Sequence, residues 1–504
     1  MGIPYYFYVL TKQYNDILIN SIDIKPDIFC FDFNGIIHPI ALQELNDEKI
    51  LNKLWSKVEK YANEYNPKNI HICVDGIAPF AKIIQQRKRR YLSSYKKQID
   101  NDKIIWDTNA ITPGTEFMNK LNAYMINKTR YNVDKEIIYH YSGSNINGEG
   151  EHKIFKIIKN LENDKTVLIH GLDADLIILS LISHKKNIYL MREKQENDTL
   201  DYTYININAL RKAIINDLII KWDLDSNNYI DNFSNNSINL IESYCVMCSL
   251  LGNDFIPHLL TINLKNNGLD ELLMHTKLSI KLHDLLVIDS NINHKCLTEI
   301  FNRLSLNEDT EIFKITENYI NKKYHNAKLQ SDFYAIKNKD PIAYEIYSDF
   351  KKWKYIYYSN KFNTNIYIDS SIIFEACENY IKGIYWTYSY YKYNIIDHTW
   401  YYPYNFPPII KDISNHCNGN SAPTIINNGS FISNEAQLLI VLPKSSNNLL
   451  KNSIKKYTTD INLGLYHLFP NKFKTHTYLK NHLWECCPEL PKININYINS
   501  ILNN

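Results

Sequence analysis

Short apolar runs rich in β-branched and aromatic residues recur through the first half of the chain. Three of them span residues 28–31, 70–74 and 166–171, and segments with helical spacing of apolar residues lie between them. Continuous apolar runs of this length are typical of strands that are buried on both faces of a parallel sheet. Because strand and helix patterns alternate over the first 260 residues, the sequence predicts an α/β fold with a mostly parallel sheet flanked by helices.

The pattern changes beyond this region. Residues 262–344 are rich in Asn and carry amphipathic segments at 282–288 and 311–324, which predict a helical linker. The rest of the chain is rich in aromatic residues and predicts a second, helical domain that completes the site. We therefore expect a nuclease-type domain over 1–261, a linker over 262–344 and a second region over 345–504.

Seven acidic residues stand where an apolar run ends or where a helix pattern begins. In an open α/β sheet, ligands bind outside the carboxyl ends of the strands, so acids at several strand ends come together in space. A single acid in such a position is ordinarily a helix cap or a turn residue, but capping does not explain the whole set. The seven are Asp32, Asp75, Glu149, Glu151, Asp173, Asp175 and Asp254.

Clustered carboxylates repel one another, and a bound cation relieves that repulsion. Mg²⁺ and Mn²⁺ prefer hard oxygen ligands. Two such ions about 3.5–4 Å apart can activate a water and stabilise the leaving oxygen of a phosphodiester. The sequence therefore predicts a phosphodiester cleavage site that holds two Mg²⁺ ions, for which Mn²⁺ can substitute.

Two of the acidic pairs lie in short motifs. Glu149 and Glu151 stand at the start of a predicted helix, where the helix dipole favours negative charge, and the flanking glycines allow close approach. Simple capping would need only one of these acids. Asp173 and Asp175 follow a predicted strand at i, i+2 spacing, which lets both carboxylates face one site while Ala174 points away.

A basic segment follows the second of the acid-tipped strands. If residues 82–90 form a helix, Lys82, Gln86, Arg89 and Arg90 share one face. Such a face suits a terminal phosphate, because Arg offers forked donors and Lys a point charge. Three of the seven arginines of the chain lie within this segment. A solvated basic helix or a localisation signal is the alternative.

Composition adds little about a polyanionic partner. With 56 basic and 54 acidic residues the formal charge is +2, so any attraction to nucleic acid must be local. Nine cysteines, an odd number, predict reduced thiols and a cytoplasmic location, the host cytoplasm for a viral protein, and leave a nuclear one open. The Cys245–Cys248 pair fits a buried helix better than half a zinc site. The sequence contains no run of 18 apolar residues, so it predicts no membrane-spanning helix.

Taken together, the motifs resemble those of the Xrn family of 5′-to-3′ exoribonucleases. The similarity is collinear and extends over nearly the whole chain. In the second half it continues through 400–404, 438–443 and 484–491. In the first half it runs through 1–7, 31–38, 74–79, 85–90, 111–118, 148–154, 171–177 and 252–258.

The resemblance implies a PIN/flap-nuclease-like fold and a processive enzyme that degrades single-stranded RNA with a 5′-monophosphate. It implies that the seven acids bind two Mg²⁺ ions and that Lys82, Gln86, Arg89 and Arg90 form the phosphate pocket. It further implies that His38 and a tryptophan, matched here to Trp400, stack on the first bases. We expect a monomer, and the sequence names no protein partner.

Two other functions are compatible with parts of this pattern. A flap-type DNA endonuclease also clusters acids at strand ends, but it carries a glycine-rich helical hairpin where Asp254 here leads into Phe-Ile-Pro-His258. An inactive protein that binds RNA 5′ ends would have kept the pocket and lost cleavage, which the presence of all seven acids opposes. From the position of the second similar region near residue 504, we expect the chain to lack the family's long carboxyl-terminal extensions. His398 stands near Trp400 where relatives often carry another tryptophan.

Overall fold

The computed structural model describes residues 3, 5–22, 25–44, 46–101, 106–131, 136–196, 199–324 and 329–502 of the 504-residue chain. Across these ranges, no helix has both the length and the apolar character needed to cross a membrane.

A seven-stranded sheet forms the centre of the N-terminal half, in the order β1-β7-β6-β5-β2-β3-β4. The five strands from β6 to β4 are mutually parallel, whereas β7 and β1 close one edge in antiparallel pairing. The α/β prediction with a mostly parallel sheet is thereby confirmed. The strands are β1 (Leu18–Ile19), β2 (Ile28–Asp32), β3 (Asn69–Cys73), β4 (Ile138–Ser142), β5 (Val167–His170), β6 (Ile188–Glu196) and β7 (Thr199–Asn206).

Burial on both faces explains why the central strands are continuous apolar runs. In β2, Phe29 and Phe31 point into a core on one face, and Cys30 points into a larger core on the other. All three side chains are fully buried. The parallel register pairs Asp32 of β2 with Cys73 of β3, so both strands end at the same edge of the sheet.

Helices cover both faces of the sheet and make up most of the second half. Those of the first half are α1 (Tyr6–Gln13), α2 (Asn34–Ala41), α3 (Asp47–Tyr65), α4 (Phe80–Asp100), α5 (Glu116–Arg130), α6 (Gly150–Lys159), α7 (Asp175–Ile182), α8 (Ile207–Trp222) and α9 (Asn235–Ser249). Cys245 and Cys248 are buried in α9, as the buried-helix interpretation predicts.

The second half continues with eleven helices and two short hairpins among the described residues. The helices are α10 (Gly268–His283), α11 (His294–Ser305), α12 (Glu308–Asn321), α13 (Tyr334–Lys337), α14 (Pro341–Ser348), α15 (Trp353–Lys361), α16 (Ser371–Tyr393), α17 (Ile410–Gly419), α18 (Asn434–Val441), α19 (Asn452–Thr459) and α20 (Ile495–Leu502). The hairpins pair β8 (Val287–Ile288) with β9 (Asn291–Ile292), and β10 (Thr475–His476) with β11 (Cys487–Pro488).

The predicted helical segment at 282–288 is wrong. Helix α10 ends at His283, Asp284 adopts a positive φ of 67°, and residues 287–288 form β8. The apolar residues Leu285, Leu286 and Val287 that suggested a helix are buried in the core in a non-helical stretch.

Helix α4 connects the sheet domain with the end of the chain. Phe80 and Ile83 of this helix pack in one apolar core with α18 and residues up to Ile498. The buried Arg87 side chain donates hydrogen bonds to the carbonyl oxygens of Ile440 (2.9 Å) and Leu468 (2.6 Å). The domain limits at 261 and 344 stay predictions.

Candidate metal and phosphate site

The edge where β5, β2 and β3 end carries the predicted acids. Asp32 is the last residue of β2 and Asp75 follows β3, whereas Asp175 is the first residue of α7, after β5. Glu149 and Glu151 flank Gly150, the first residue of α6, and Asp254 lies in the loop after α9. Because β2 lies between β5 and β3 in the sheet, these carboxylates converge on one edge.

Gly150 makes the close approach possible. Its backbone N–H donates to Asp75 Oδ1 at 2.7 Å, and a Cβ at this position would lie 3.0 Å from Asp32 Oδ1 and 3.3 Å from Asp75 Oδ1. Asn34 holds the other oxygen of Asp75, with its amide nitrogen 2.8 Å from Oδ2. The N-terminus of α6 therefore sits directly against two of the acids.

Lys82 of α4 lies among the acids. Its Nζ atom is 2.5 Å from Glu149 Oε2, 2.8 Å from Asp254 Oδ2 and 3.9 Å from Glu151 Oε1, and its side chain is 9% exposed. The sequence places Lys82 on a phosphate-binding face, and the structure places it at the boundary between that face and the carboxylates. One ammonium group faces three carboxylates here.

The acids differ in how easily they ionise. Burial, together with repulsion from Asp75, raises the pKa of Asp32 to about 7. Burial and the charge of Asp254 raise the pKa of Asp175 to about 6. Burial also opposes the ionisation of Asp254, but the Lys82 ammonium outweighs it and lowers the pKa of Asp254 to about 2. One lysine is thus too little positive charge for the whole cluster.

Several side chains that the sequence did not single out complete the site. The ligand atoms of Glu149, Glu151 and His152 lie within 4.8 Å of one another and could hold a metal ion. Burial, and next the Lys82 charge, lower the pKa of His152 to about 3, so its ring is neutral. The hydroxyl of Tyr390 donates to Glu149 Oε1 at 2.9 Å. The sequence feature that could have identified His152 is its position directly after the Gly-Glu-Gly-Glu motif at 148–151.

The donor set fits a hard divalent cation. Its atoms are mainly carboxylate oxygens, and Asp175 Oδ2 is buried with no hydrogen-bond partner among the described residues. Asp173 Oδ1 accepts the backbone N–H of Asp175 at 3.3 Å, which places the pair at the start of α7. An added cation would offset the repulsion that raises the acids' pKa values.

The remaining residues of the predicted phosphate pocket lie on α4 beside the acids. Gln86 is buried, and its Oε1 atom has no hydrogen-bond partner among the described residues. Arg90 donates to the carbonyl oxygens of Asn109 (3.3 Å) and Ile111 (3.2 Å), which fixes its guanidinium. Arg89 is exposed, Arg90 is half-buried and Lys82 is buried, so Arg89 is the most accessible cation of this face.

His38 of α2 lies close to this basic face. Burial, followed by the charges of Arg89 and Arg90, lowers the pKa of His38 to about 4. Its half-buried ring is therefore neutral at physiological pH, as a ring that stacks on a base should be.

Trp400 lies in the core. Its side chain is 6% exposed, its ring centroid is 5.1 Å from that of Trp386, and its indole nitrogen donates to Asn379 Oδ1 at 3.3 Å. A Cβ at Gly383 would lie 3.0 Å from the ring. Because neighbouring side chains cover the ring, its placement does not support the stacking role that the resemblance implied.

Models of known protein families match most of the chain. The family model described as "XRN 5′-3′ exonuclease N-terminus" matches residues 1–194, and the model described as "Xrn1 helical domain" matches 235–352 and 349–503. The human protein 5′-3′ exoribonuclease 1 is 26% identical over 98% of this chain and 33% of its own length.

Two yeast proteins are also similar. The Saccharomyces cerevisiae 5′-3′ exoribonuclease 1 is 30% identical over 66% of this chain and 24% of its own length. The 5′-3′ exoribonuclease 2 of the same yeast is 28% identical over 62% of this chain and 39% of its own length. The chain thus spans less than half the length of these relatives. The two family models cover both halves of the chain, and the chain belongs to the Xrn family.

Proposed function

We propose that the chain is a Mg²⁺-dependent 5′-to-3′ exoribonuclease that processively degrades 5′-monophosphorylated RNA to nucleoside 5′-monophosphates. The observation that carries the proposal is the position of Lys82, which joins a cluster of buried carboxylates to the basic face of α4. A site for cleavage and a site for a terminal phosphate thereby become neighbours. The names of the similar human and yeast proteins support the same activity.

The seven acids would hold two Mg²⁺ ions, or Mn²⁺ in their place. When bound, such ions lower the pKa of a water and stabilise the charge of a leaving oxygen. The chain's own contribution is to hold the ligands rigidly: Asn34 and the Gly150 N–H fix Asp75, and Tyr390 fixes Glu149. Rigid ligands keep the substrate phosphate in a single orientation.

The basic face would select the 5′ end. The exposed Arg89 offers two parallel N–H donors to a terminal phosphate, and the buried Gln86 adds an amide. Arg90 is already bonded to backbone carbonyls, so it would contribute charge to the pocket and keep its present contacts. A monophosphate would satisfy these donors, a hydroxyl end would leave them unpaired, and a triphosphate would exceed the pocket.

His38 would bind the first base. A neutral ring at the edge of the phosphate pocket stacks on any of the four bases, which an enzyme that moves along RNA of any sequence requires. Sequence-independent stacking also fits processive movement, because the same contact forms again after each nucleotide is removed.

The test is degradation of a 3′-labelled RNA by the purified protein with Mg²⁺. RNAs with 5′-monophosphate, 5′-triphosphate and 5′-hydroxyl ends are compared with one another and with a matched DNA flap. Loss of the monophosphorylated RNA alone, without a ladder of intermediates, is expected. Cleavage of the flap alone would indicate a structure-specific DNA endonuclease, and RNA binding without cleavage would indicate an inactive end-binding protein.

A further inference from the structure

A buried carboxylate of α9 lies outside the site described above. The side chain of Glu242 is fully buried among polar groups from two other segments. Its Oε1 atom is 2.6 Å from Nε2 of His184 and forms an ion pair with Lys392. Its Oε2 atom accepts the hydroxyl of Tyr388 at 2.5 Å. Burial opposes the ionisation of Glu242, but the bonds from these three partners outweigh it and hold the pKa of Glu242 below its ordinary value.

His184 extends this network to Arg211 of α8. Arg211 is also fully buried, and its guanidinium lies 3.0 Å from Nδ1 of His184. Because a guanidinium only donates and an ionised carboxylate only accepts, Nδ1 accepts from Arg211 and Nε2 donates its proton to Glu242. Burial, which outweighs the Glu242 carboxylate, lowers the pKa of His184 to about 4, so the ring is neutral as this arrangement requires.

Glu242 joins three helices that each bring a side chain to the candidate site. Helix α7 begins at Asp175, α9 leads into the loop of Asp254, and α16 carries Tyr390. The partners of Glu242 belong to the same segments: His184 follows the end of α7, and the other two lie on α16. The bonds of one carboxylate therefore set how these helices stand relative to one another.

Tyr390 is the part of α16 that meets the acids. Its hydroxyl donates to Glu149 Oε1 at 2.9 Å, and its ring stacks on that of His152 with centroids 3.7 Å apart and an angle of 15° between the planes. Tyr388 and Lys392 stand two positions before and two positions after it. Helix α16 is thus anchored on both sides of Tyr390, and a shift of the helix would turn the carboxylate of Glu149.

Close packing alone does not fix these helices behind the acids. A cavity of about 20 Å³, with room for about one water molecule, lies between α7, α9 and α16. Asp175, Tyr388 and Tyr391 are among the residues that line it. Because side chains leave this space unfilled, directional bonds such as those of Glu242 hold the three helices in place.

We propose that Glu242 is a positioning residue of the metal site, a role that rests on the proposed exoribonuclease function. By fixing α16 against α7 and α9, its carboxylate holds the Tyr390 hydroxyl on Glu149 and keeps Asp175 at the same edge of the sheet. Groups that bond to metal ligands orient them and tune the affinity for the metal. Glu242 acts one step behind such groups, through the helices that carry them.

The first test measures Mn²⁺ binding by the full chain without RNA, from the electron paramagnetic resonance signal of free Mn²⁺. Glu242→Gln keeps the size of the side chain and removes its charge, so the bonds to Lys392 and His184 are disturbed. Mn²⁺ binding should weaken by about 3- to 30-fold, the usual effect of substitutions that act on a site through packed neighbours. Unchanged Mn²⁺ binding in the folded variant would overturn the proposal.

Glu308→Gln is the matched control. Glu308 is buried, and its oxygens accept the backbone N–H groups of Ile410 (2.6 Å) and Lys411 (2.9 Å) at the start of α17. This substitution should lower stability in urea, because it replaces an acceptor in a buried pair of hydrogen bonds, and leave Mn²⁺ affinity unchanged. Equal weakening of Mn²⁺ binding in both variants would assign the effect to lost stability and refute the positioning role.

Tyr388→Phe keeps the ring and removes one hydroxyl, so it decides the matter if Glu242→Gln does not fold. It should weaken Mn²⁺ binding in the wild-type background. Its effect should be much smaller in a Tyr390→Phe background, because the bond that α16 positions there is already lost. Equal effects in the two backgrounds would refute a route through Tyr390.

The outcomes for Glu242 and for the proposed function differ. If wild type binds Mn²⁺ and degrades monophosphorylated RNA while neither Glu242→Gln nor Tyr388→Phe changes Mn²⁺ binding, the positioning role is refuted and the function stands. If wild type neither binds Mn²⁺ nor degrades RNA, the proposed function fails, and the positioning role fails with it.

Discussion

The Lys82 ammonium lies 2.8 Å from the Asp254 carboxylate, in a buried ion pair that joins α4 to the loop after α9. Two more carboxylates, those of Glu149 and Glu151, share the same ammonium. Lys82 is thus the counter-charge of the cluster in the protein without metal, and the electrostatics of the site depend on it.

We expect Lys82→Met to destabilise the metal-free protein at pH 8. Removing one member of a buried ion pair leaves uncompensated charge and typically costs about 3–5 kcal/mol of the free energy of unfolding. Urea unfolding with EDTA measures this loss. Mg²⁺ should stabilise both proteins, because a ligand that binds only the folded state stabilises it. The gain should be larger for the variant, because its carboxylates lack the Lys82 counter-charge.

Lys165→Met is the matched control for this substitution. Lys165 pairs with Glu162 at 3.2 Å on the surface, where solvent screens the interaction. Its loss should leave stability essentially unchanged. An equal effect of both substitutions would contradict the role of Lys82 as a buried counter-charge.

Stability without metal should fall as pH rises from about 5 to 8. The pKa of Asp32 is raised to about 7 and that of Asp175 to about 6, whereas both are near 3.9 in the unfolded chain. At pH values between the unfolded and the folded pKa, the folded state binds more protons than the unfolded state. The free energy of unfolding therefore decreases as pH rises through this range. Urea unfolding at several pH values in EDTA measures the slope.

Replacement of Asp32 or of Asp254 with asparagine should change the stability of the metal-free protein in opposite directions. Asp32→Asn should flatten the decline and stabilise the metal-free protein at pH 8, because it removes a carboxylate whose ionisation burial opposes. Asp254→Asn should destabilise, because the pKa of Asp254 is lowered to about 2 and its ionised form stabilises the fold above pH 3.9. A stability gain in both variants would be incompatible with these pKa shifts.

Asp173→Asn and Asp175→Asn should each abolish RNA cleavage and spare RNA binding. Even partners of metal ligands typically contribute about 10- to 100-fold, so loss of a ligand should lower the rate by more than about 100-fold. Single-turnover degradation of monophosphorylated RNA, with binding measured in EDTA, separates the two effects. Asp164→Asn, on an exposed aspartate, is the control. Full turnover in either site variant would refute the assignment of these aspartates as ligands.

Arg89→Ala should lose the preference for a 5′-monophosphate. Hydrogen bonds to charged groups contribute about 1.5–3 kcal/mol, so the ratio of rates on monophosphate and hydroxyl ends should fall by about 10- to 150-fold. Arg130→Ala, at the exposed end of α5, should keep the wild-type ratio. An unchanged ratio of rates on monophosphate and hydroxyl ends in Arg89→Ala would refute the assignment of Arg89 to the phosphate pocket.

Much of the fold and of the site was predictable because its causes are local. Apolar runs such as 28–31 encode buried strands, and the acids that follow them mark the strand ends whatever the rest of the chain does. The shared face of Lys82, Gln86 and Arg89 follows from helical periodicity alone. The similarity of the motifs to the Xrn family added the expected substrate, which periodicity does not contain.

The tertiary structure decided how these parts meet. It placed Lys82 among the acids, brought His152 and Tyr390 to Glu149, and buried Trp400 under Trp386. The contact between Tyr390 and Glu149 joins residues 241 positions apart, so no local pattern encodes it.

The contact between the Tyr5 and Trp484 rings shows the same division. Tyr5 and Trp484 lie at opposite ends of the sequence, and nothing in the residues around either one indicates the other. The sequence by itself indicated the central strands β2, β3 and β5, the basic face of α4 and the acidic candidate ligands, because backbone preference and burial act over a few neighbours. Only the packed structure decided which charges and rings share a surface, because those contacts depend on how distant segments fold together.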